Sequence, residues 1–144
     1  MGKEQTVLAR HRTIAIDTCV LIYYLEDHPA FGAAAAGLLE QFSRPGRRVV
    51  MSTMALLEVQ VKLYRDGHDQ AAREQYALLM QLPEWSWVSL TYQIADLAAE
   101  LRGIHRLSVP DAVHIATAMT EGATLFVTND RELPKVEGIE LLIL

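Results

Sequence analysis

A single cysteine, Cys19, occurs in the 144 residues, which excludes an internal disulfide and a cysteine-rich zinc site. Long apolar runs are also missing. The longest near the start, residues 14–25, is too short to span a bilayer and is interrupted by Asp17. No basic start leads into an uninterrupted apolar core and a small-residue cleavage site, so secretion has no support. The expectation is a cytoplasmic protein with no membrane partner. Basic charge is scarce: 13 Lys and Arg stand against 18 Asp and Glu, for a net charge of −5. Such a balance argues against coating nucleic acid by bulk charge, although a local patch or a bound cation can still hold phosphate. Repeats, low-complexity tracts and long linkers are absent. With 51% hydrophobic and 22% charged residues, the composition is that of a folded chain. One domain over residues 1–144 is therefore expected, with residues 1–12 as a loose lead-in.

What is present is an alternation of strand and helix patterns. Residues 13–17, Thr-Ile-Ala-Ile-Asp, read as a short buried strand ending in a carboxylate. Residues 18–26 have helical character up to Asp27-His28-Pro29, and residues 30–42 are rich in alanine and leucine. After Arg44-Pro45-Gly46, residues 47–51 give a second strand. Residues 52–65 read as a helix with Met54, Leu57, Val61 and Tyr64 on an apolar face, stopped at Gly67. Residues 69–82 follow as a helix, 85–90 as a strand, 91–105 and 108–122 as helices, and 123–128 and 139–144 as strands. This order predicts an α/β fold of three layers, with a central, mainly parallel sheet of about five strands flanked by helices. Ligands of such sheets sit beyond the carboxyl ends of the strands.

Four carboxylates are spaced to gather there. Asp17 ends the first strand, where it suits either an N-cap or chemistry. Glu58 lies at the margin of the 52–65 stripe, with Lys62 four residues on as its basic partner at helical spacing. Asp111 follows Ser108 by three residues in a near capping box, with Pro110 in the first turn. Asp130 closes Thr128-Asn129-Asp130 after a strand, an ordinary turn sequence. Each has a structural role on local grounds alone. Brought together, the four repel one another, and either protonation or cations must answer that. No matching lysine cluster accompanies them, and a hard divalent ion with oxygen ligands, Mg²⁺ or Mn²⁺, suits such a pocket.

The chain resembles the PIN-domain nucleases, particularly VapC-type toxins of bacterial toxin–antitoxin pairs. The resemblance rests on Ile14-Ala15-Ile16-Asp17-Thr18, Leu56-Leu57-Glu58-Val59, Pro110-Asp111-Ala112-Val113-His114-Ile115-Ala116-Thr117-Ala118 and Leu125-Phe126-Val127-Thr128-Asn129-Asp130. These stretches fall in the family's order and span residue 13 onward. The resemblance implies a PIN-like fold and a Mg²⁺- or Mn²⁺-dependent endoribonuclease. Asp17 and Asp111 would be the principal metal carboxylates, with Glu58 and Asp130 completing the pocket directly or through water. Thr128 would support it by hydrogen bonding, and Asn129 would help orient it. In-line attack of water on an RNA phosphodiester, homodimerisation and a cognate antitoxin are implied as well.

Arg102 and Arg106, ahead of the Asp111 helix, offer a phosphate-facing edge, though cations at a helix C-terminus have a structural use too. His114 reads as packed and Cys19 as a small buried residue. The alternative to an enzyme is a non-catalytic PIN-like module that binds RNA or protein. A phosphoacceptor receiver domain fits less well, because the acid pair expected at the first strand end is absent. Setting the four pocket residues aside leaves 14 acidic against 13 basic residues, so the excess acidity is concentrated in the candidate site.

Overall fold

Strand β1 (Thr13–Ile16) sets the architecture through the alternation of its side chains. Ile14 and Ile16 point to one face of the sheet and Ala15 to the other. The same alternation divides β2 (Arg48–Ser52), with Val49 and Met51 opposed to Val50, and β4 (Leu125–Thr128), with Leu125 and Val127 opposed to Phe126. Both faces of these strands are apolar, as a parallel sheet covered on two sides requires. The computed structural model describes residues 2–144. Among the described residues the sheet has five strands in the order β3-β2-β1-β4-β5, every neighbouring pair parallel. The outer strands are β3 (Trp85–Val88) and β5 (Glu140–Ile143). The sheet expected to be mainly parallel is wholly so.

One face carries α2 (Thr18–Leu25), α3 (Gly32–Phe42), α4 (Thr53–Arg65) and α5 (Asp69–Met80), packed around Val20, Leu21, Leu39, Phe42 and Leu79. The other carries α6 (Tyr92–His105) and α7 (Val109–Thr120). Ala15 on β1 sits in register with Phe126 on β4, so a small side chain makes room for a large one. Helix α7 is buried at every position from Ala112 to Ala118. A helix apolar on nearly all sides belongs inside a fold. No helix among the described residues is long and apolar enough to cross a membrane.

Two local expectations are corrected. The lead-in expected over residues 1–12 is not loose where it is described, because Lys3–Ala9 form a helix, α1; Met1 lies outside the described residues. Leu8 is buried in the core, and Arg47 Nη1 donates to the carbonyls of Leu8 and His11, each at 3.0 Å. His11, itself buried, bridges Thr124 Oγ1 at 2.7 Å and Glu140 Oε2 at 2.9 Å. These ties are long-range and leave no local periodic pattern.

The second correction concerns α4. Its stripe of Leu57, Val61 and Tyr64 faces outward, with Leu57 65% exposed, while Ala55, Val59 and Gln60 are buried. Small Ala55 allows close packing on the sheet face. Gln60 is satisfied by the Ala72 carbonyl at 2.8 Å and by Gln75 at 2.7 Å, so a polar residue can face α5. Polar satisfaction across α4 and α5 thus outweighs the larger apolar stripe.

Docking of α1 through Leu8 gives a direct test. Leu8→Ala should cost roughly 2–5 kcal/mol of folding stability. Urea unfolding measures it, and a loss below about 0.5 kcal/mol, the size of an ordinary surface change, would show that α1 is not part of the core.

Candidate active site

The register of β1 with β4 places Asp17 beside Thr128. Ile16 pairs with Val127, and the Asp17 amide donates to the Val127 carbonyl at 2.8 Å. Asp17 is the N-cap of α2: its Oδ1 accepts from the Thr18 amide at 2.7 Å. Its Oδ2 accepts from Thr128 Oγ1 at 2.8 Å. The fully buried Thr128 hydroxyl in turn accepts from the Asp130 amide at 3.0 Å. One hydroxyl therefore fixes both the Asp17 carboxylate and the turn carrying Asp130. One oxygen of Asp17 caps α2 and the other joins β1 to the end of β4, so the capping role that the local sequence offered is present alongside a second contact. Asp130 Oδ1 accepts from the Glu132 amide at 2.9 Å, as aspartate does in tight turns.

Asp111 lies in the first turn of α7, whose N-cap Ser108 accepts from the Asp111 amide at 3.2 Å. Burial pushes its carboxyl above the usual range. The Ser108 hydroxyl opposes that shift, the charges of Asp17 and then Asp130 add to it, and His114 opposes it again. The structure thus brings Asp17, Asp111 and Asp130 within electrostatic reach of one another. Among the described residues none of the three pairs with a lysine or arginine. They do not converge further: no group of three His, Cys, Asp or Glu side chains among the described residues forms a ready-made metal cluster.

Glu58 is held differently. Lys62 is not its partner; His114 Nε2 donates to its Oε1 at 2.8 Å and Thr18 Oγ1 at 3.0 Å. The His114 hydrogen bond is the main cause that holds the Glu58 carboxyl below its usual range, against a partial burial that acts the other way. His114, 4% exposed, is packed as the sequence implied, but its ring also reaches a candidate site residue. Its position three residues after Asp111, on the same face of a helix, was the sequence signal for that reach.

The remaining candidates lie around this group. Asn129 Nδ2 donates to Tyr23 Oη at 2.9 Å, and Tyr23 stacks on Phe31 with ring centroids 5.0 Å apart. Asn129 therefore braces α2 against the β4 turn. Arg102 Nε donates to the Leu107 carbonyl at 2.8 Å, tying the α6–α7 loop, and exposed Arg106 caps α6 in a left-handed conformation with φ 54°. The Cys19 thiol is pushed up by burial and then by the Asp17 charge, which keeps it protonated and weakly reactive.

The donor set fits a hard divalent cation. It consists of carboxylates and hydroxyls without a neighbouring thiolate, and the repulsion from Asp17 and Asp130 that adds to the effect of burial on Asp111 is what such an ion relieves.

The PIN domain family matches residues 14–139, most of the sequence. The chain belongs to the PIN-domain family. No curated protein sequence is significantly similar to it. Several solved structures share the fold of this PIN domain. VapBC2 from Rickettsia felis, bound to a DNA fragment from its promoter, is 16% identical, with a TM-score of 0.73 over 92% of this chain and 98% of that one. VapC20 of Mycobacterium tuberculosis, described as a Sarcin-Ricin loop cleaving toxin, is 22% identical, with a TM-score of 0.66 over 83% of this chain and 92% of that one. A toxin-antitoxin complex from Klebsiella pneumoniae is 23% identical, with a TM-score of 0.65 over 88% and 94%.

The raised Asp111 carboxyl makes the stability of this PIN domain depend on pH. In the unfolded chain Asp111 ionises in the usual range; in the fold, ionisation is disfavoured. Its charge therefore opposes folding at neutral pH, and that opposition fades as pH falls through the folded pKa. Asp111→Asn should raise the Tm of the protein in EDTA at about pH 7, and the gain should vanish near pH 3, where both side chains are neutral. Thermal melts across that range check the sign.

Proposed function

We propose that this PIN domain is a Mg²⁺- or Mn²⁺-dependent endoribonuclease and the toxin member of a toxin–antitoxin pair. The observation that carries the reading is the meeting of Asp17, Asp111 and Asp130, where burial and then the two neighbouring charges raise the Asp111 carboxyl and, among the described residues, no lysine or arginine pairs with any of the three. Asp17 and Asp111 would be the principal ligands, with Asp130 and Glu58 completing the pocket directly or through water. A bound divalent ion lowers the pKa of water and stabilises the negative charge that gathers on a phosphodiester in displacement.

The chain's own groups provide the rigid frame for that chemistry. Thr128 and the Thr18 amide fix both Asp17 oxygens, so the carboxylate cannot rotate away. Glu58 stays ionised because His114 and Thr18 donate to it. Preorganised charges of this kind act without reorganisation when the reaction occurs. Arg102 and Arg106 would supply the RNA-facing edge, and an RNA substrate makes the cytoplasm the compartment of action. The Sarcin-Ricin loop named for the Mycobacterium tuberculosis neighbour supports a structured RNA loop as the substrate class.

Partners follow from exposed apolar surface. The outward stripe of Leu57, Val61 and Tyr64 on α4 suits a homodimer, because one helix can meet its own symmetry copy in a two-fold interface. A groove between α2, α4 and α5, lined by Ile22, Leu25 and Leu63 together with Glu26, Lys62 and Asp66, is open to a segment of a cognate antitoxin. The toxin–antitoxin complexes among the fold neighbours support this pairing.

Purified protein incubated with structured RNA and Mg²⁺ should cleave it, and EDTA should stop cleavage. Asp17→Ala and Asp111→Ala should each slow it by roughly 100-fold or more, about 3 kcal/mol in the barrier. Cleavage indifferent to EDTA and to both substitutions would overturn the mechanism. A protein that binds no Mn²⁺ would instead favour the non-catalytic module. For the dimer, Val61→Asp should shift the mass in light scattering from two chains to one; an unchanged mass would remove α4 from the interface.

A further inference from the structure

Glu58 differs from the other three site carboxylates in taking two side-chain hydrogen bonds on a single oxygen. Oε1 accepts from His114 Nε2 at 2.8 Å and from Thr18 Oγ1 at 3.0 Å, and those two donors lie 3.2 Å apart. The three atoms close a triangle. Among the described residues Oε2 takes no hydrogen bond. A carboxylate only accepts, so Nε2 must carry a proton.

The grip joins three elements at the pocket. Thr18 directly follows Asp17, His114 lies nearly one turn beyond Asp111, and Glu58 comes from α4. Helix α7 is otherwise lined with Ala112, Val113, Ile115, Ala116 and Ala118 around His114. A buried imidazole in that company costs free energy unless it is hydrogen-bonded, and its bond goes to Glu58.

We propose that Thr18 and His114 are positioning residues that commit Oε1 of Glu58, so that Glu58 meets the cation pocket through Oε2 alone and thereby selects Mg²⁺ or Mn²⁺ over Ca²⁺. This rests on the metal-dependent reading above. The selection follows from ligand chemistry: Ca²⁺ readily takes a carboxylate through both oxygens, whereas Mg²⁺ keeps several waters and takes single oxygens in a tight octahedron. A glutamate with one oxygen already occupied cannot offer the two-oxygen grip.

The test is competitive calorimetry of Mn²⁺ and Ca²⁺ on the full chain. The unaltered protein should prefer Mn²⁺. His114→Leu should weaken Mn²⁺ binding by roughly tenfold, the usual scale for losing a residue that orients a ligand. It should leave Ca²⁺ binding unchanged or tighter, so the preference falls by at least that factor. His114→Gln, which keeps a donor, should restore most of the preference. If the leucine variant does not fold in a thermal melt, Thr18→Val against Thr18→Ser carries the same comparison. A preference unchanged by removing the donor, or lost equally in the donor-keeping variant, overturns the proposal while leaving RNA cleavage by the unaltered protein intact. Failure of the unaltered protein to bind Mn²⁺ overturns both this proposal and the metal-dependent reading.

Discussion

The register between β1 and β4 is the constraint on which the candidate site depends, because it sets what stands at the carboxyl edge of the sheet. With Ile16 opposite Val127, Asp17 receives the Thr128 hydroxyl, and the turn that follows brings in Asp130. A slip by one residue would exchange the two faces of a strand. Ile14 and Ile16 would then leave the side of the sheet covered by α2–α5, and Ala15 would leave its place beside Phe126. The packing that makes this register costly to change is therefore also what holds the carboxylates in place. Strand order contributes as well: β1 lies between β2 and β4, so helices α2, α4 and α7 all begin near its carboxyl end. Such a switch point is where α/β sheets present residues from distant parts of the chain.

Charge in the pocket is tolerated through local hydrogen bonds rather than cationic side chains. Asp17 uses the first amide of its helix and a buried hydroxyl, Asp111 lies in the first turn of α7, and Glu58 uses an imidazole and a second hydroxyl. Helix N-termini favour negative charge there. Fixed dipoles of this kind leave the carboxylate charge present in the pocket, whereas a bound lysine or arginine would cancel it.

Much of this was legible in the sequence because the informative patterns are local. Two-faced apolar strands, the Ser108-x-x-Asp111 helix start and the carboxylate that ends the first strand each occupy a few consecutive residues. They gave the alternating fold and the places of Asp17, Asp111 and Asp130. What escaped depends on distant partners. Residues 3–9 look polar and unpatterned, yet Leu8 finds the core and Arg47 satisfies the backbone after it. The face of α4 was misread because apolar size pointed to Leu57, Val61 and Tyr64, while the buried choice was decided by Gln60 meeting α5. Lys62 was the evident partner for Glu58 along one helix, and the actual one, His114, lies 56 residues away. Spacing along one helix cannot rank a partner supplied by another.

The contact between Thr128 and Asp17 spans 111 residues, and this has a consequence for how the protein comes into being. Synthesis delivers β1, β2 and β3 first, together with Asp17 and Glu58. At that stage the inner edge of β1 is open, and Asp17 has neither the Val127 carbonyl nor the Thr128 hydroxyl. Asp111 and Asp130 have yet to join it. Strand β4 must enter beside β1 after β2, β3 and the helices up to α7 have been made, a non-local pairing of the kind that forms slowly. A growing or prematurely ended chain therefore carries half of the carboxylates without the pocket. Translation order itself keeps the site unassembled until β4 and the turn carrying Asp130 have left the ribosome.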